Sequence, residues 1–83
     1  MNTKEIVVAI IKEQSQIIGE YLALSMAQNS GVVTSPSSKI EEITIANADG
    51  TLVIDTLVNT YEKLFGPASV EVCRNVIKRY ANQ

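Results

Sequence analysis

The sequence predicts an all-α fold, a small bundle of three to four helices in a single domain over residues 1–83. Three observations predict it. Apolar residues recur at intervals of three and four, which puts them on one face of an α-helix, in stretches that cover most of the chain. Glycine, proline and serine cluster between those stretches, as is typical of turns. The length suffices for one domain and no more.

Residues 1–30 are predicted to form one long helix. Asn2 offers an N-terminal cap, and Glu5 follows in the first turn, where a carboxylate favours the helix dipole. The β-branched run Ile6–Ile11 would also suit a strand. The helical spacing of apolar residues continues to Met26, however, so we favour a helix.

Gly19 lies inside this long helix and predicts a kink, a break or a close helix–helix contact that only glycine permits. Around it, from Ile17 to Ala27, the polar side chains are Glu20 and Ser25. A helix that is apolar nearly all round is buried on more than one side, and a chain of this size is too small to cover it twice. We therefore expect Gly19 to mark close packing in the core or at a subunit seam.

Residues 31–50 are predicted to be a loop with one short element. Gly31 is expected to close the first helix in a left-handed conformation. Pro36 and the serines on either side of it discourage both helix and strand, so residues 32–38 are interpreted as loop.

Two interpretations of the short element stay open. The favoured one is a helix from Lys39 to about Ala46, begun by a capping box of Ser38 and Glu41. The alternative is a short β-hairpin over residues 43–54, because β-forming residues flank the strong turn signal Asp49-Gly50.

Residues 51–82 are predicted to form two helices separated by a break at Gly66 and Pro67. Proline lacks an N–H group and fits the first turn of a new helix, which we expect to run to about Ala81. The apolar stripes of the two helices consist of Val53, Ile54, Leu57, Val58, Tyr61, Leu64 and Phe65, and of Val70, Cys73, Val76, Ile77 and Tyr80.

The two glycine-containing segments suggest an internal repeat. Sliding residues 6–27 over 53–74 aligns Gly19 with Gly66 and pairs apolar with apolar residues slightly more often than composition alone would. The glycine is the single identity. The alignment predicts that both segments share a helix–glycine–helix shape.

Composition points to self-association. A domain of this size buries a modest share of its surface and usually needs a disulfide, a metal or a second copy. Cys73 is the only cysteine and there is no histidine, so a disulfide or a structural zinc site is not expected. Hydrophobic residues make up 46% and charged residues 19% of the chain. We expect a homo-oligomer, most simply a dimer, with another protein partner as the alternative.

Catalytic, metal-binding and cofactor-binding residues are all expected to be absent. Without histidine, a Cys-His pair or a Ser-His-Asp triad is impossible. The four glycines are scattered, so no phosphate-binding loop is present. The turn Asn47–Gly50 lacks the other ligands of a calcium loop, and the adjacent Glu41 and Glu42 would diverge on a helix. We expect the protein not to be an enzyme.

Two features of the last helix have a structural explanation that is simpler than a functional one. Cys73 lies on the apolar stripe, where a buried and unreactive thiol is favoured. Arg74, Lys78 and Arg79 form a basic patch that could bind an acidic partner, but cations near a helix C-terminus also suit the helix dipole.

The charge and the apolar runs bear on partners and location. A net charge of −2 and a pI near 4.9 argue against nucleic acid as the main partner. We expect no signal peptide and no membrane span, because the longest apolar run, Ile6–Ile11, is too short to cross a bilayer. A cytoplasmic protein with a reduced Cys73 fits best.

The octapeptide Tyr61–Ala68, an aromatic residue, two polar residues, an apolar pair and then Gly-Pro-Ala, resembles a motif of small helical domains in bacterial signalling proteins. Those domains are appended to Ser/Thr kinases, forkhead-associated proteins and roadblock-type proteins. The resemblance covers residues 52–81. It implies a non-enzymatic interaction module and brings no catalytic residue with it.

We therefore expect a non-enzymatic helical module for protein–protein interaction that self-associates, in bacterial signalling or regulation. Burial of apolar side chains would hold the copies together. The alternative is a protein that binds a small apolar ligand or a lipid between its helices. The side chains expected at the interface are Ile17, Ile18, Tyr21, Leu22, Met26, Leu64 and Phe65.

Overall fold

The computed structural model describes residues 2–35 and 39–81 and confirms the small all-α fold. The order of elements along the chain is helix, helix, strand, 3-10 turn, strand, helix, helix. Their bounds are α1, Thr3–Ile18; α2, Glu20–Asn29; β1, Val33–Thr34; the 3-10 turn, Ile40–Glu42; β2, Thr44–Ile45; α3, Gly50–Phe65; and α4, Pro67–Ala81.

The N-terminal segment is not one continuous helix, because it breaks at Gly19. Asn2 caps α1 as predicted, since its side chain accepts a hydrogen bond from the Glu5 N–H. Gly19 has φ +91° and ψ 153°, a conformation that residues with a Cβ rarely adopt. A Cβ built on it would meet nothing within 4 Å. Close packing at Gly19 within the core of the chain is therefore not found, and the backbone angles alone account for a glycine here; close packing at a subunit seam stays a prediction.

The middle of the chain combines parts of both open interpretations. The short helix is reduced to the 3-10 turn Ile40–Glu42, and its predicted cap Ser38 lies outside the described residues. A strand does form at 44–45, but it pairs antiparallel with Val33–Thr34 and not with residues 51–54, which are helical. The strand at 33–34 falls in the segment predicted to be loop, whose residues 36–38 are not described.

The C-terminal half agrees with its prediction. Asp49 caps α3 by accepting a hydrogen bond from the Leu52 N–H. The helix ends at Phe65, Gly66 has φ +82°, and α4 begins at Pro67. The break at Gly66 and Pro67 is therefore confirmed.

One apolar core joins all four helices and the connecting segment. Its fully buried side chains include Ile6, Ile10 and Ile11 of α1 and Leu57 and Tyr61 of α3. The inner face of α2 contributes Ala23, Leu24 and Ala27, and the connecting segment closes the core with Val33, Ile40 and Ile43. The other buried residues of the core are Val7, Val32, Val53, Ile54, Cys73 and Val76.

The predicted helix–glycine–helix repeat is present in the fold. Helices α1 and α3 are both 16 residues long and begin 47 residues apart, as do their caps Asn2 and Asp49. Four of the five buried positions of α1 have a buried counterpart in α3 under the same shift, and among them Gln14 corresponds to Tyr61. The fifth, Ile11, corresponds to the partly buried Val58. We call residues 3–29 the N-terminal half and residues 50–81 the C-terminal half.

The correspondence slips by one residue after the glycines. In α2 the inner face carries Ala23 and Ala27, whereas in α4 it carries Ser69 and Cys73, a separation of 46 residues instead of 47. Each pair keeps the spacing of four that places both side chains on one helix face. The two halves therefore share a helix–glycine–helix backbone, although their corresponding side chains differ.

Candidate interaction surface

The two glycine junctions lie at the same end of the molecule. Gln14, five residues before Gly19, donates a hydrogen bond of 3.2 Å from Nε2 to the carbonyl of Ser69, three residues after Gly66. Tyr61, five residues before Gly66, donates one of 2.7 Å from its hydroxyl to the carbonyl of Ala23. Each helix before a glycine is thus bonded to the helix after the other glycine.

The opposite end of the molecule brings the starts of α1 and α3 together. A Cβ on Gly50, the first residue of α3, would clash with Oγ1 of Thr3, the first residue of α1. Since both helices start side by side and end at the paired junctions, they run in the same direction. The two halves therefore lie side by side, with their first helices parallel.

Gln14 is the centre of a small buried polar cluster. Its Nε2 also lies 2.9 Å from Ser69 Oγ and 3.5 Å from Cys73 Sγ. Burial raises the pKa of the Cys73 thiol, although the hydrogen bond from Gln14 acts in the opposite direction. Burial, together with the nearby Cys73, also raises the pKa of the Tyr61 hydroxyl. The buried and inert thiol expected from the sequence is therefore what the geometry provides, because a neutral thiol is a poor nucleophile.

The end that carries the two junctions is apolar and exposed. Five of the seven predicted interface residues are large hydrophobic side chains in contact with solvent. Their exposed fractions are 65% for Ile17, 87% for Tyr21, 38% for Leu22, 54% for Leu64 and 36% for Phe65. We call these five residues the junction surface.

Two of the predicted interface residues belong to the interior. Ile18 and Met26 are partly buried and pack against the core. Ile18 immediately follows the exposed Ile17, so the apolar pair divides between the core and the surface. Leu52 is 48% exposed and was not predicted, but it lies in the first turn of α3, at the other end of that helix from Leu64.

The charged side chains around the junction surface differ between the halves. Glu20, the first residue of α2, is exposed beside the N-terminal junction. Glu62 and Lys63 are exposed in the last turn of α3, beside the C-terminal junction. Glu62 and Leu64 are two residues apart and so point about 160° apart around the helix axis, whereas Lys63 lies nearer to Leu64.

One of the three cations of the predicted basic patch is paired with a carboxylate of another helix. Arg79 donates a hydrogen bond of 3.1 Å to the Glu13 carboxylate, so one of its three cations is already paired with α1. Arg74 and Lys78 are exposed. The pairing explains Arg79 as a link between α1 and α4 and leaves two positive charges on this face.

A surface groove runs along the outer side of α1. Its volume is about 540 Å³, and its lining includes Ala9, Lys12, Glu41 and Tyr80. Lys12 Nζ lies 2.9 Å from Glu41 Oε1, and this hydrogen bond holds the pKa of the Glu41 carboxyl below its ordinary value. A neighbouring groove of about 340 Å³ shares Ala9, Lys12 and Tyr80. The charged side chains along both grooves make them unlike an apolar ligand cavity.

Neither a metal site nor a membrane span is found in the part of the chain that the structure describes. Within residues 2–35 and 39–81 no three or more His, Cys, Asp or Glu side chains group so as to hold a metal ion. None of the helices described there has the length and apolar character needed to cross a bilayer.

Comparison with known proteins gives no relative. No protein-family model, curated protein or solved structure matches the chain.

Proposed function

We propose that the protein is a non-enzymatic helical interaction module that self-associates through its junction surface, most simply as a homodimer. The observation that carries the proposal is the concentration of five exposed large hydrophobic side chains at one end of a molecule only 83 residues long. Apolar patches of this kind on a small protein are typical of interaction sites.

The energetics of association require that several side chains of the junction surface are buried together. Complete burial of one large apolar side chain contributes about 1.5–3 kcal/mol, and association costs about 4–15 kcal/mol. Because these side chains are already partly covered, each adds less than the full amount. Several must be buried together, and two copies supply twice the set. Loss of a single member should then be enough to weaken the complex strongly.

The size of the molecule is compatible with a dimer. A standard interface covers about 800 Å² on each partner. The accessible surface of the molecule is 4905 Å², so such an interface would take roughly a sixth of it. Both halves contribute to the junction surface, α1 and α2 on one side and α3 on the other.

A role in bacterial signalling or regulation is a further part of the proposal and rests on the resemblance of residues 52–81. A cytoplasmic location is supported by the single, buried Cys73, which has no partner for an internal disulfide. The alternative of an apolar-ligand or lipid carrier has less support, because charged side chains line the two grooves.

Size-exclusion chromatography with light scattering tests the proposal. The wild-type chain, 9.0 kDa as a monomer, should elute with twice that mass at micromolar concentration. Ile17→Glu and Leu64→Glu should each give a monomer with unchanged helix content by circular dichroism. Leu52→Glu is the matched control, since it places the same charge on an exposed leucine at the other end of α3, and it should remain dimeric. A wild-type protein that stays at the monomer mass at high micromolar concentration would contradict the proposal.

A further inference from the structure

Helix α2 covers the core mainly with small side chains. Its buried residues are Ala23, Leu24 and Ala27, and each alanine offers a single methyl group to the interior. Helices α1 and α3 each bury four aliphatic or aromatic side chains larger than alanine. Because hydrophobic stabilisation is roughly proportional to the apolar area removed from water, the packing of α2 stabilises the fold less than that of α1 or α3.

Polar contacts distinguish α2 from α4, whose buried side chains are also small. Helix α4 is joined to α1 by hydrogen bonds from Gln14, in α1, and from Arg79, in α4. Among the side-chain hydrogen bonds of the described residues, the one that joins α2 to another helix runs from the Tyr61 hydroxyl to the Ala23 carbonyl. Helix α2 is therefore the least firmly anchored of the four helices.

Glycines with positive φ stand at both ends of α2. Gly19 immediately precedes the helix with φ +91°, and Gly31 follows two residues after its end with φ +83°. A Cβ built on either glycine would meet nothing within 4 Å, so no packing holds the backbone there. Glycine has access to most backbone conformations, and hinges are element-terminal positions that absorb large changes of φ and ψ. The short helix thus lies between two possible hinges.

We infer that α2 is a hinged lid, which opens as a unit about Gly19 and Gly31 while α1, α3 and α4 keep their packing. The closed lid packs against α1, α3 and β1. Opening breaks the hydrogen bond from Tyr61 to Ala23 and uncovers the sides of α1 and α3 that the two alanines cover. It exposes a small part of the core, so it requires less free energy than unfolding of the whole chain.

The lid is independent of the proposed self-association, although the two are linked in space. Tyr21 and Leu22 of the junction surface belong to α2, so opening the lid moves them away from Leu64 and Phe65 of α3. A test must therefore include a chain in which the proposed dimer cannot form. Ile17→Glu supplies that chain, because Ile17 lies in α1 and is exposed.

Native-state hydrogen exchange, resolved by NMR for single amides, tests the lid in the wild type and in Ile17→Glu. The amides of α2 should exchange about 10–100-fold faster, relative to an unfolded chain, than the central amides of α1 and α3. Their exchange should also depend less on added urea, because the urea dependence of an opening scales with the surface that it exposes. If the α2 amides match those of α1 and α3 in both respects in both chains, the lid is overturned.

Two variants separate opening of the lid from unfolding of the whole chain. Val76→Ala removes buried apolar atoms from α4, so it should speed exchange in α1 and α3 about tenfold and leave α2 unchanged. Tyr61→Phe removes the hydrogen bond to the lid and should speed exchange in α2 about fivefold. Equal acceleration of all four helices in Val76→Ala, or no acceleration of α2 in Tyr61→Phe, would contradict the lid.

Discussion

Gln14 and Tyr61 occupy equivalent positions in the two halves, and each donates a hydrogen bond to the carbonyl of the first buried residue after the opposite glycine. The acceptors are Ser69 for Gln14 and Ala23 for Tyr61. Both side chains are fully buried. The correspondence between the two halves therefore extends to hydrogen bonds whose donors differ in chemistry, an amide in one half and a phenol in the other.

The first prediction concerns the Tyr61 hydroxyl. Tyr61→Phe removes one buried hydrogen bond and leaves the ring, so it should lower the free energy of unfolding by about 1 kcal/mol. Urea denaturation followed by circular dichroism, at one protein concentration, measures the change. Tyr80→Phe is the control, because Tyr80 lies at the edge of the core, and it should cost less. Equal losses of unfolding free energy in the two variants would show that the hydrogen bond from Tyr61 to Ala23 stabilises the fold no more than the Tyr80 hydroxyl does.

The sequence could predict this fold because its signals were local. The caps at Asn2 and Asp49, the apolar periodicity of α1 and α3 and the break at Gly66 each depend on a few adjacent residues. The pairing of the two strands was not predicted, because it joins residues that are far apart in the sequence. Thr44 pairs with Thr34 across the segment containing Pro36, and the favourable turn at Asp49 instead became a helix cap.

The interface residues show the same difference between what local sequence signals predict and what depends on tertiary packing. Periodicity identifies which side chains are apolar, but it does not say which of two apolar neighbours turns inward. Ile17 is exposed and Ile18 packs against the core, a difference in tertiary packing that the apolar pattern does not carry. The buried Gln14 was missed because its partner Ser69 is 55 residues away and a lone glutamine carries no pattern.

The second prediction separates backbone conformation from packing at the glycine junctions. Gly19→Ala and Gly66→Ala should each destabilise the fold by about 1–3 kcal/mol, since both glycines have positive φ with extended ψ. The Cβ of an L-alanine would meet nothing within 4 Å at either position, so sterics do not add to the cost of these two variants. D-alanine introduced by chemical synthesis adds the same methyl group but tolerates positive φ, and it should be nearly neutral. Destabilisation by D-alanine as large as that by L-alanine would point to packing instead.

The third prediction concerns the contact between the starts of α1 and α3. Gly50→Ala should destabilise the protein, because the new methyl group meets Thr3 Oγ1. In a Thr3→Ala background that atom is gone, and the same change should be neutral or stabilising, since alanine favours helix over glycine. A double-mutant cycle by urea denaturation should therefore show coupling between the two positions. Additive effects would mean that the two helix starts do not touch.

The fourth prediction is a loss of stability at alkaline pH. The pKa values of Cys73 and Tyr61 are both raised by burial above their ordinary values of 9.0 and 10.0. Folding therefore favours the protonated forms. Their contribution is complete below those ordinary values and is lost as pH rises beyond them, first for Cys73 and then for Tyr61.

The free energy of unfolding should accordingly fall from about pH 9 upward, by up to about 1.4 kcal/mol for each pH unit and each group that the unfolded chain ionises. Urea denaturation between neutral pH and pH 11 measures it. Cys73→Ala should delay the decline until Tyr61 begins to titrate, and Tyr61→Phe should flatten the later part. Because each variant differs from the wild type at one titratable side chain, the difference between profiles isolates the buried group. A profile of Cys73→Ala parallel to that of the wild type between pH 9 and 10 would show that the thiol ionises as readily in the fold as in the unfolded chain.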